Sequence, residues 1–282
     1  MLDYFKSTQF KLKVANLLYK SLRLVGVRDQ QKVSRQGVLF DLDLREGIDL
    51  SVYLFGGFQK HVYQNKFTKL ADDAVIFDVG ANIGSICLPL ANAFPKSTVY
   101  AFEPTDFAFQ KLLKNLELNP HLKDRVFPVQ TFVSEEHTEN STLKAFASWR
   151  IDGQEDTAEN VHSVHGGTQK TTTNRQIKID EFVKENNISR LDYMKIDTDG
   201  HELYVLRGAK ETLLKFKPTI VFEVMNYELA SQGLTFGDLE DFLKPLGYQM
   251  VVSDSEKPIT RENAQDVVPT KGGVDVVASP IA

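Results

Sequence analysis

The sequence predicts an α/β fold built on a mostly parallel β-sheet with helices on both faces. From residue 75 onward, short apolar runs rich in β-branched residues alternate with helical patterns, as expected for repeated β-α-β units. A glycine-rich turn follows the first of these runs, where such folds bind ligands. The chain has 282 residues, 42% hydrophobic and 25% charged, which suits one large globular domain with small additions.

Two short regions precede the main body of the chain. Residues 2–25 place apolar side chains between lysines, a pattern that predicts an amphipathic helix within a basic N-terminal segment, residues 1–35. In residues 36–74, alternation predicts strands between 38 and 54 with a turn at Gly47, and a helix follows over 61–70. We therefore expect three segments, which are 1–35, 36–74 and 75–282.

Within the main body, apolar runs predict strands and a 3.6-residue period predicts helices. The predicted strands are 75–79, 99–102, 126–133, 191–196 and 219–224, and the predicted helices are 85–93, 107–118, 179–185, 202–215 and 239–243. The closing runs 248–252 and 274–278 predict an antiparallel pair with a long connection. Residues 134–175 are rich in Thr, Ser, Asn and Gly, which predicts an insertion with a hairpin at 146–151.

Composition restricts the compartment and the kind of partner. Cys87 is the only cysteine, so the chain forms no internal disulfide, which favours a reducing, cytoplasmic location. Residues 1–35 carry 8 − 2 = +6, and because the whole chain carries −5, the remainder carries −11. An acidic body argues against a nucleic-acid partner. The basic segment has two interpretations: peripheral contact with an anionic membrane, or packing on its own domain, which its irregular apolar stripe favours.

The glycine-rich turn reads Asp78-Val-Gly80-Ala-Asn-Ile-Gly84 and joins a predicted strand to a predicted helix. Its glycines let the backbone approach a ligand closely, and the helix start offers unpaired N–H groups. A dinucleotide site has the spacing G-x-G-x-x-G, which is absent here, and Asp78 would repel a pyrophosphate. The same carboxylate suits the positively charged amino group and sulfonium of S-adenosylmethionine, which is therefore the predicted cofactor.

A second carboxylate follows the next predicted strand. Glu103 lies 103 − 78 = 25 residues after Asp78, the distance expected for the neighbouring strand end, where it can accept hydrogen bonds from both ribose hydroxyls. Pro104 turns the chain out of the strand and fixes the direction of this carboxylate. The alternatives at this point are a dinucleotide enzyme with an irregular loop and an α/β domain without a ligand.

Six motifs, in this order, resemble those of the FkbM family of S-adenosylmethionine-dependent methyltransferases. They are Asp78-Val-Gly-Ala-Asn-Ile-Gly84, Phe102-Glu-Pro104, Ile179-Asp-Glu-Phe182, Lys195-Ile-Asp-Thr-Asp-Gly-His-Glu202, Val205-Leu-Arg-Gly-Ala209 and Pro218-Thr-Ile-Val-Phe-Glu223. The resemblance covers roughly residues 37–250, and six motifs in order are specific where one would be weak. It implies a class I, Rossmann-like methyltransferase fold with a seven-stranded sheet, and O-methylation of macrolide, sugar or lipopolysaccharide hydroxyls.

The resemblance also implies roles for individual residues. The methionine end of the cofactor would be lined by Asp78, Gly80, Ala81, Asn82 and Gly84. The ribose would contact Glu103 and Pro104, adenine would lie near Phe132, and Asp197 would also contact the cofactor. Relatives commonly have Glu at the position of Asp199.

The candidate catalytic residues follow the predicted strand 191–196, in Asp197-Thr-Asp199-Gly-His201-Glu202. Methylation of a hydroxyl needs a general base, and the unperturbed pKa of histidine suits this role near neutral pH. We expect His201 to deprotonate the acceptor and Asp197 to orient the donor or the acceptor. In the alternative interpretation, Asp199 makes a turn and His201 begins the next helix. A divalent metal on Asp197, Asp199 and Glu223 is a weaker alternative, so no metal is expected.

The predicted function is O-methylation of a hydroxyl on a sugar, glycan or related polyhydroxylated metabolite. The alternatives are a cofactor-binding interaction protein without turnover and an N-methyltransferase acting on an amine. The insertion contributes Trp149, Arg150, His162 and His165, which could stack on a sugar ring or hold an anionic group.

Overall fold

A computed structural model describes residues 8–57, 62–63, 65–143, 145, 150–151 and 172–281, with the backbone alone for 8–12. The strands are β1 (Gln30–Arg35), β2 (Val38–Asp43), β3 (Val75–Val79), β4 (Thr98–Phe102), β5 (Val126–Val129), β6 (Phe132–Val133), β7 (Gln176–Ile177), β8 (Tyr193–Ile196), β9 (Thr219–Val224), β10 (Tyr248–Val252) and β11 (Val274–Pro280). The helices are α1 (Thr8–Leu24), α2 (Gly47–Phe55), α3 (Cys87–Ala93), α4 (Asp106–Glu117), α5 (Ile179–Glu185), α6 (Glu202–Arg207), α7 (Lys210–Phe216), α8 (Asn226–Ser231), α9 (Phe236–Leu243) and α10 (Ala264–Val267).

Seven strands form the central sheet in the order β10-β11-β9-β8-β3-β4-β5. Strands β9, β8, β3, β4 and β5 are parallel, and β11 is antiparallel to both of its neighbours. The predicted α/β fold with a mostly parallel sheet is therefore confirmed, as is the antiparallel closing pair. The chain leaves β3 towards β4 on one side and later returns to its other side as β8. Such a switch point creates a crevice at the carboxyl ends of the strands.

The two faces of the sheet bury separate hydrophobic cores. Ile76 packs on one face, with β2, α2, α3 and α4, whereas the next residue, Phe77, packs on the other, with α5, α6, α7 and α9. This alternation is the two-residue period of a strand covered on both faces. Helices on both faces were predicted, and this arrangement holds the carboxyl ends of β3, β4 and β8 in fixed positions.

The N-terminal region packs on the first of these cores. Strands β1 and β2 form an antiparallel hairpin, and the buried face of β2 contributes Val38, Phe40 and Leu42 to the core. Helix α1 packs against the same core through Ala15, Tyr19 and Leu22. No helix in the described part of the chain is long and apolar enough to cross a membrane. The division of the chain at residues 35 and 74 stays a prediction.

Three predicted elements differ from the structure. Residues 47–55 are helix α2 rather than a turn and a strand, because apolar side chains on several sides of this helix are buried and hide its period. The predicted helix over 61–70 is absent from its described residues, where the Asn65 side chain accepts hydrogen bonds from Phe67 N (3.0 Å) and Thr68 N (2.9 Å) and holds a turn. The predicted helix 202–215 is two helices, α6 and α7.

The break between α6 and α7 has a steric cause. A Cβ at Gly208 would lie 2.0 Å from the carbonyl oxygen of Ser134, so the chain passes too close here for a side chain. The Asp180 carboxylate then accepts hydrogen bonds from Glu211 N (3.0 Å) and Thr212 N (2.8 Å) and starts α7. The glycine therefore seats α6 directly against the strand end that follows β6.

The ends of the predicted insertion meet beside the sheet. Strand β6 pairs in parallel with β7. The predicted strand 126–133 is therefore two strands, because residues 130–131 separate β6 from the edge strand β5, which contains Pro128. Most of the predicted hairpin at 146–151 lies outside the described residues. Its last two residues are described: Arg150 forms a β-bridge with Glu46, and Ile151 N donates to the carbonyl of Arg45 (2.7 Å).

Candidate functional site

The glycine-rich turn leaves β3 and packs directly against the end of β8. Gly80 has φ +80°, and a Cβ there would lie 1.9 Å from the carbonyl oxygen of Asp197. Both the backbone angle and the close approach exclude a side chain at this position. Asn82 also has a positive φ of 49°, which its side chain supports by accepting a hydrogen bond from Ile83 N (2.9 Å). The turn therefore holds one compact conformation.

The backbone N–H groups of this turn are all used within the protein. Gly80 N and Ala81 N both donate to the carbonyl of Phe102, each at 2.9 Å. Asn82 N donates to Glu103 Oε2, Ile83 N to the side chain of Asn82, and Gly84 N to the carbonyl of Ala81. Residues 80–84 therefore have no backbone N–H group to offer an anion.

Glu103 joins the turn to the end of β4. It is 4% exposed. Its Oε1 accepts hydrogen bonds from Thr105 N (2.8 Å) and Thr105 Oγ1 (2.6 Å), while its Oε2 accepts one from Asn82 N (2.9 Å). Burial raises the pKa of Glu103, and these hydrogen bonds act in the opposite direction. Because each carboxylate oxygen can accept two hydrogen bonds, Oε2 retains capacity for a ligand hydroxyl.

Asp78 and Asp197 lie on either side of a buried lysine. Lys195 stands opposite Asp78 in the β3–β8 register, and its Nζ lies 3.0 Å from Asp197 Oδ2, 3.3 Å from the carbonyl oxygen of Gly80 and 3.7 Å from Asp78 Oδ1. Asp78 is 1% exposed, and neither of its carboxylate oxygens accepts a hydrogen bond of ordinary geometry, although the thiol and backbone N–H of Cys87 are close enough to lower its pKa. A buried carboxylate without hydrogen bonds is costly unless a ligand supplies the donor.

The segment after β8 is shaped by Glu202, the first residue of α6. Its Oε1 accepts hydrogen bonds from Thr198 N (3.0 Å), Thr198 Oγ1 (3.0 Å) and Gly200 N (3.3 Å). Asp199 and Gly200 both have positive φ, so the turn expected at Asp199 is present. Burial raises the pKa of Glu202 to about 7 despite the hydrogen bonds, and the charge of Asp197 adds to the increase.

His201 lies between the turn and α6, facing the chain after β6. Its Nε2 is 2.9 Å from the hydroxyl of Ser134, and its ring stacks on Tyr204 at a centroid distance of 4.5 Å. Burial lowers the pKa of His201 to about 4, so the imidazole is neutral at physiological pH. His201 therefore lies immediately before α6, as the alternative interpretation expected, and it also lies near the end of β8.

Acidic side chains dominate the neighbouring end of β9. Burial and the charges of Asp197, Asp275, Asp199 and Glu202 raise the pKa of Glu223 well above its ordinary value. A Cβ at Gly273 would lie 2.4 Å from Glu223 Oε1, so this carboxyl group rests against bare backbone.

A metal interpretation of these acids finds no support in the described part of the chain. There, no three His, Cys, Asp or Glu side chains form a group that could hold a metal ion. Asp197 and Asp199 act electrostatically on Glu223.

The side of the site near β5 is closed by the end of the insertion. Phe132 is 7% exposed and pairs with Gln176 in the β6–β7 register, and Thr173 N donates to the carbonyl of Pro104 (3.0 Å). Residues 172–177 therefore contact the turn after Glu103 and pair with the strand that carries Phe132. The insertion residues Trp149, His162 and His165 lie outside the described residues.

Sequence reasoning named the carboxylates of the site but missed Lys195, Glu202 and Ser134 as functional residues. Lys195 carried a signal, because a lysine inside the apolar run Tyr-Met-Lys-Ile of a covered strand needs a buried acidic partner. Ser134 carried none, since its contact with His201 joins residues 67 positions apart.

Comparisons with known proteins agree with this geometry. The sequence profile of the Methyltransferase FkbM domain matches residues 78–250, more than half of the chain. Methyltransferase 1 of Beauveria bassiana is 27% identical over 195 residues, covering 64% of this chain and 74% of that protein. Hexuronic acid methyltransferase AglP of Haloferax volcanii is 30% identical over 153 residues, covering 53% of this chain and 56% of AglP.

A solved structure, Methyltransferase FkbM from Methylobacillus flagellatus KT, superposes with a TM-score of 0.49 at 16% identity, covering 80% of this chain and 49% of that chain. The match thus spans about half the length of AglP and of this solved protein. The profile match begins at Asp78 and extends through β10, so it includes the glycine-rich turn, Glu103 and the segment from Lys195 to Glu202. The chain belongs to the FkbM methyltransferase family, and its fold is the class I, Rossmann-like methyltransferase fold.

Proposed function

We propose that this chain uses S-adenosylmethionine to methylate a hydroxyl of a sugar, glycan or related small polyhydroxylated molecule. The observation that carries the cofactor assignment is the set of N–H groups in residues 80–84, which all donate within the protein. A dinucleotide needs such groups free for its pyrophosphate. S-adenosylmethionine instead needs carboxylates for its ammonium group and ribose, and Asp78 and Glu103 supply them.

The cofactor would lie across the carboxyl ends of β3 and β4. Asp78 would receive the ammonium group, which would satisfy the two carboxylate oxygens that have no partner within the protein. The methionine part would pass over the backbone of residues 80–84, that is Gly80, Ala81, Asn82, Ile83 and Gly84. Glu103, with Pro104 fixing its direction, would bind the ribose hydroxyls, and Phe132 would border the adenine.

For the chemical step, we propose that His201 is the general base and that Asp197 orients the donor or the acceptor. S-adenosylmethionine supplies a methyl group whose C–S bond breaks, with its electron pair going to sulfur, as the acceptor oxygen forms the new C–O bond. His201 takes the hydroxyl proton on a ring nitrogen. Its pKa of about 4 keeps a lone pair available at neutral pH, although it makes the imidazole a weak base that must release the proton quickly to solvent.

The acceptor class rests on less direct support. AglP is by its name a hexuronic acid methyltransferase, which favours a sugar acceptor. The acidic residues near Glu223 provide a second candidate, because they would attract a protonated amine and so favour N-methylation. A cofactor-binding protein without turnover would keep Asp78 and Glu103 but make no methylated product.

A panel of acceptors tests the proposal. The purified chain would be incubated with S-adenosylmethionine and either neutral glycosides, uronic acid glycosides or small amines, and both S-adenosylhomocysteine and methylated product would be measured. We expect a methyl ether on a sugar hydroxyl, and loss of product in Asp78→Asn. Methylated amine alone would replace O-methylation by the second candidate. Absence of S-adenosylhomocysteine binding in calorimetry would overturn the cofactor assignment itself.

We also propose that α1 brings the enzyme to an anionic membrane surface. One face of α1 packs on the domain, but Leu17 (66%), Leu24 (87%) and Val25 (78%) are exposed, and Lys13 and Lys20 are exposed beside them. Apolar and basic side chains on one face suit the interface of an anionic bilayer.

Sedimentation with vesicles tests this surface. We expect binding to phosphatidylserine vesicles and none to phosphatidylcholine vesicles, with loss of binding in Leu17→Ser/Leu24→Ser. A matched control is Leu214→Ser, an exposed leucine (47%) in α7 outside this face. Equal binding by wild type and the double variant, or no binding by wild type, would contradict the membrane proposal.

A further inference from the structure

Lys195 is a fully buried cation at the centre of the candidate site. Its side chain is 5% exposed, and it lies on β8 between the apolar residues Met194 and Ile196. Burial alone would lower the pKa of a lysine. Here the charges of Asp197 and Asp78 outweigh burial and raise the pKa of Lys195. The ammonium group is therefore charged at every pH at which the protein works.

The contacts of Lys195 are unequal. Its Nζ donates to Asp197 Oδ2 (3.0 Å) and to the carbonyl oxygen of Gly80 (3.3 Å), but it stays 3.7 Å from Asp78 Oδ1, beyond hydrogen-bonding distance. Lys195 thus holds Asp197 and Gly80 in place by hydrogen bonds, whereas it acts on Asp78 only through electrostatic attraction. Lys195 therefore leaves the hydrogen-bonding capacity of the Asp78 carboxylate available to another donor.

Asp78 depends on that charge to stay ionised. Burial is the largest influence on its pKa and raises it, and Lys195 is the strongest influence in the opposite direction. The other groups that face it are Asp197, whose charge raises its pKa, the Cys87 thiol, which lowers it, and the phenol of Tyr193. Lys195 also lies within electrostatic range of Asp275 and Glu103.

We infer that Lys195 is a positioning residue that keeps the Asp78 carboxylate ionised and unbonded, ready for the ammonium group of the methionine part of the cofactor. This inference rests on the proposed use of S-adenosylmethionine. With Lys195 present, the three charges of Asp78, Lys195 and Asp197 sum to −1, which one ammonium group balances. Without Lys195, the buried Asp78 carboxylate and the partly buried Asp197 carboxylate repel each other, and protonation of Asp78 relieves the repulsion but removes the attraction for the ligand.

The test is the pH dependence of ligand binding in Lys195→Met, which keeps most of the side-chain volume without the charge. Calorimetry would measure the Kd of S-adenosylhomocysteine at a lower pH of about 6 and a higher pH of about 8.5, because removal of the Lys195 charge should raise the pKa of Asp78 further. We expect wild type to change little, and Lys195→Met to bind about tenfold or more weaker at the lower pH, since a charge-assisted hydrogen bond is lost. The loss should shrink at the higher pH, as Asp78 ionises.

Two controls separate this effect from simple damage. Methylthioadenosine carries the adenosine part but no ammonium group, so its affinity should be the same in wild type and Lys195→Met at both pH values. Lys111→Met removes another partly buried lysine, the partner of the buried Asp49, and should leave S-adenosylhomocysteine binding unchanged. Lys195→Arg, which keeps the charge, should restore the flat pH dependence.

The outcomes are distinguishable. A loss of affinity of equal size at both pH values, or an equal loss for methylthioadenosine, would overturn the inference and leave a structural role. If Lys195→Met fails to fold, Asp78→Asn/Lys195→Met should fold, since it lacks the uncompensated acid, and should bind as weakly as Asp78→Asn; failure of both would overturn the inference. If wild type does not bind S-adenosylhomocysteine, the proposed function fails instead.

Discussion

Glu202→Gln should change how the stability of this protein depends on pH. Glu202 is 2% exposed, and its Oε1 accepts hydrogen bonds from Thr198 and Gly200 that fix the turn after β8. Glutamine has the same shape, and its amide oxygen can accept the same hydrogen bonds. The substitution therefore removes the titration of residue 202 while it keeps the turn.

The size of the effect follows from the pKa of Glu202, which burial raises from 4.5 to about 7. Between these values the folded state binds more protons than the unfolded state, so the contribution of Glu202 to the free energy of unfolding is present below about pH 4.5 and is lost as the pH rises through about 7. The rise from 4.5 to about 7, at about 1.4 kcal/mol per pH unit, gives a total loss of about 3.5 kcal/mol, of which about 3 kcal/mol falls between about pH 4.5 and about pH 7.5. Glutamine does not titrate and loses nothing.

Chemical denaturation followed by circular dichroism at several pH values would measure this difference. The free energy of unfolding of Glu202→Gln minus that of wild type should increase by about 3 kcal/mol from about pH 4.5 to about pH 7.5. Titrating groups that do not interact with Glu202 cancel in the difference, and the Glu223 pKa, which the charge of Glu202 raises, should fall in the variant. Glu211→Gln, at an exposed acid in α7, is the matched control. A pH-independent difference for Glu202→Gln would refute the reasoning.

Three further predictions concern the site. Gly80→Ala should lower the free energy of unfolding by about 3 kcal/mol, because the new Cβ collides with the Asp197 carbonyl. Gly26 has a similar φ but nothing within 4 Å of an added Cβ, so Gly26→Ala should lower the free energy of unfolding by only about 1 kcal/mol. Glu103→Gln should weaken S-adenosylhomocysteine about tenfold in calorimetry, since it loses a charged acceptor for ribose; unchanged affinity would exclude that contact. His201→Gln should remove most turnover at nearly unchanged cofactor affinity. In wild type, kcat/KM should fall on the acid side near pH 4 to 5, since the pKa of His201 is about 4. A fall near pH 6.5 would show that another group is the base.

The fold was predictable where the burial of an element leaves a simple pattern of apolar residues in the sequence. Strands covered on both faces read as apolar runs, so β3, β4 and β9 were located within one residue. Helix α2 was missed because it is buried on several sides. Its apolar residues therefore do not follow the 3.6-residue period by which a helix buried on one side is recognised. The break at Gly208 was missed because its cause, the carbonyl of Ser134, lies 74 residues earlier in the chain.

The site was predictable in part for the same reason. Asp78 and Glu103 follow strands whose positions the sequence indicates, so their shared edge of the sheet could be inferred. The roles of Lys195 and Glu202 depend on register and on side-chain direction, which composition does not record. Lys195 faces Asp78 only because β3 and β8 are adjacent, although some 115 residues separate them along the chain.

The internal hydrogen bonding of residues 80–84 has a consequence for the kinetics of binding. Each N–H of this turn already has its partner, and two of them share the Phe102 carbonyl. A ligand that settles on the turn therefore breaks no backbone hydrogen bond and orders no loose segment. Affinity is not spent on reorganisation, so association should approach the rate set by diffusion and electrostatic attraction. Ligands that bind on residues 80–84 should then differ in affinity mainly through their dissociation rates.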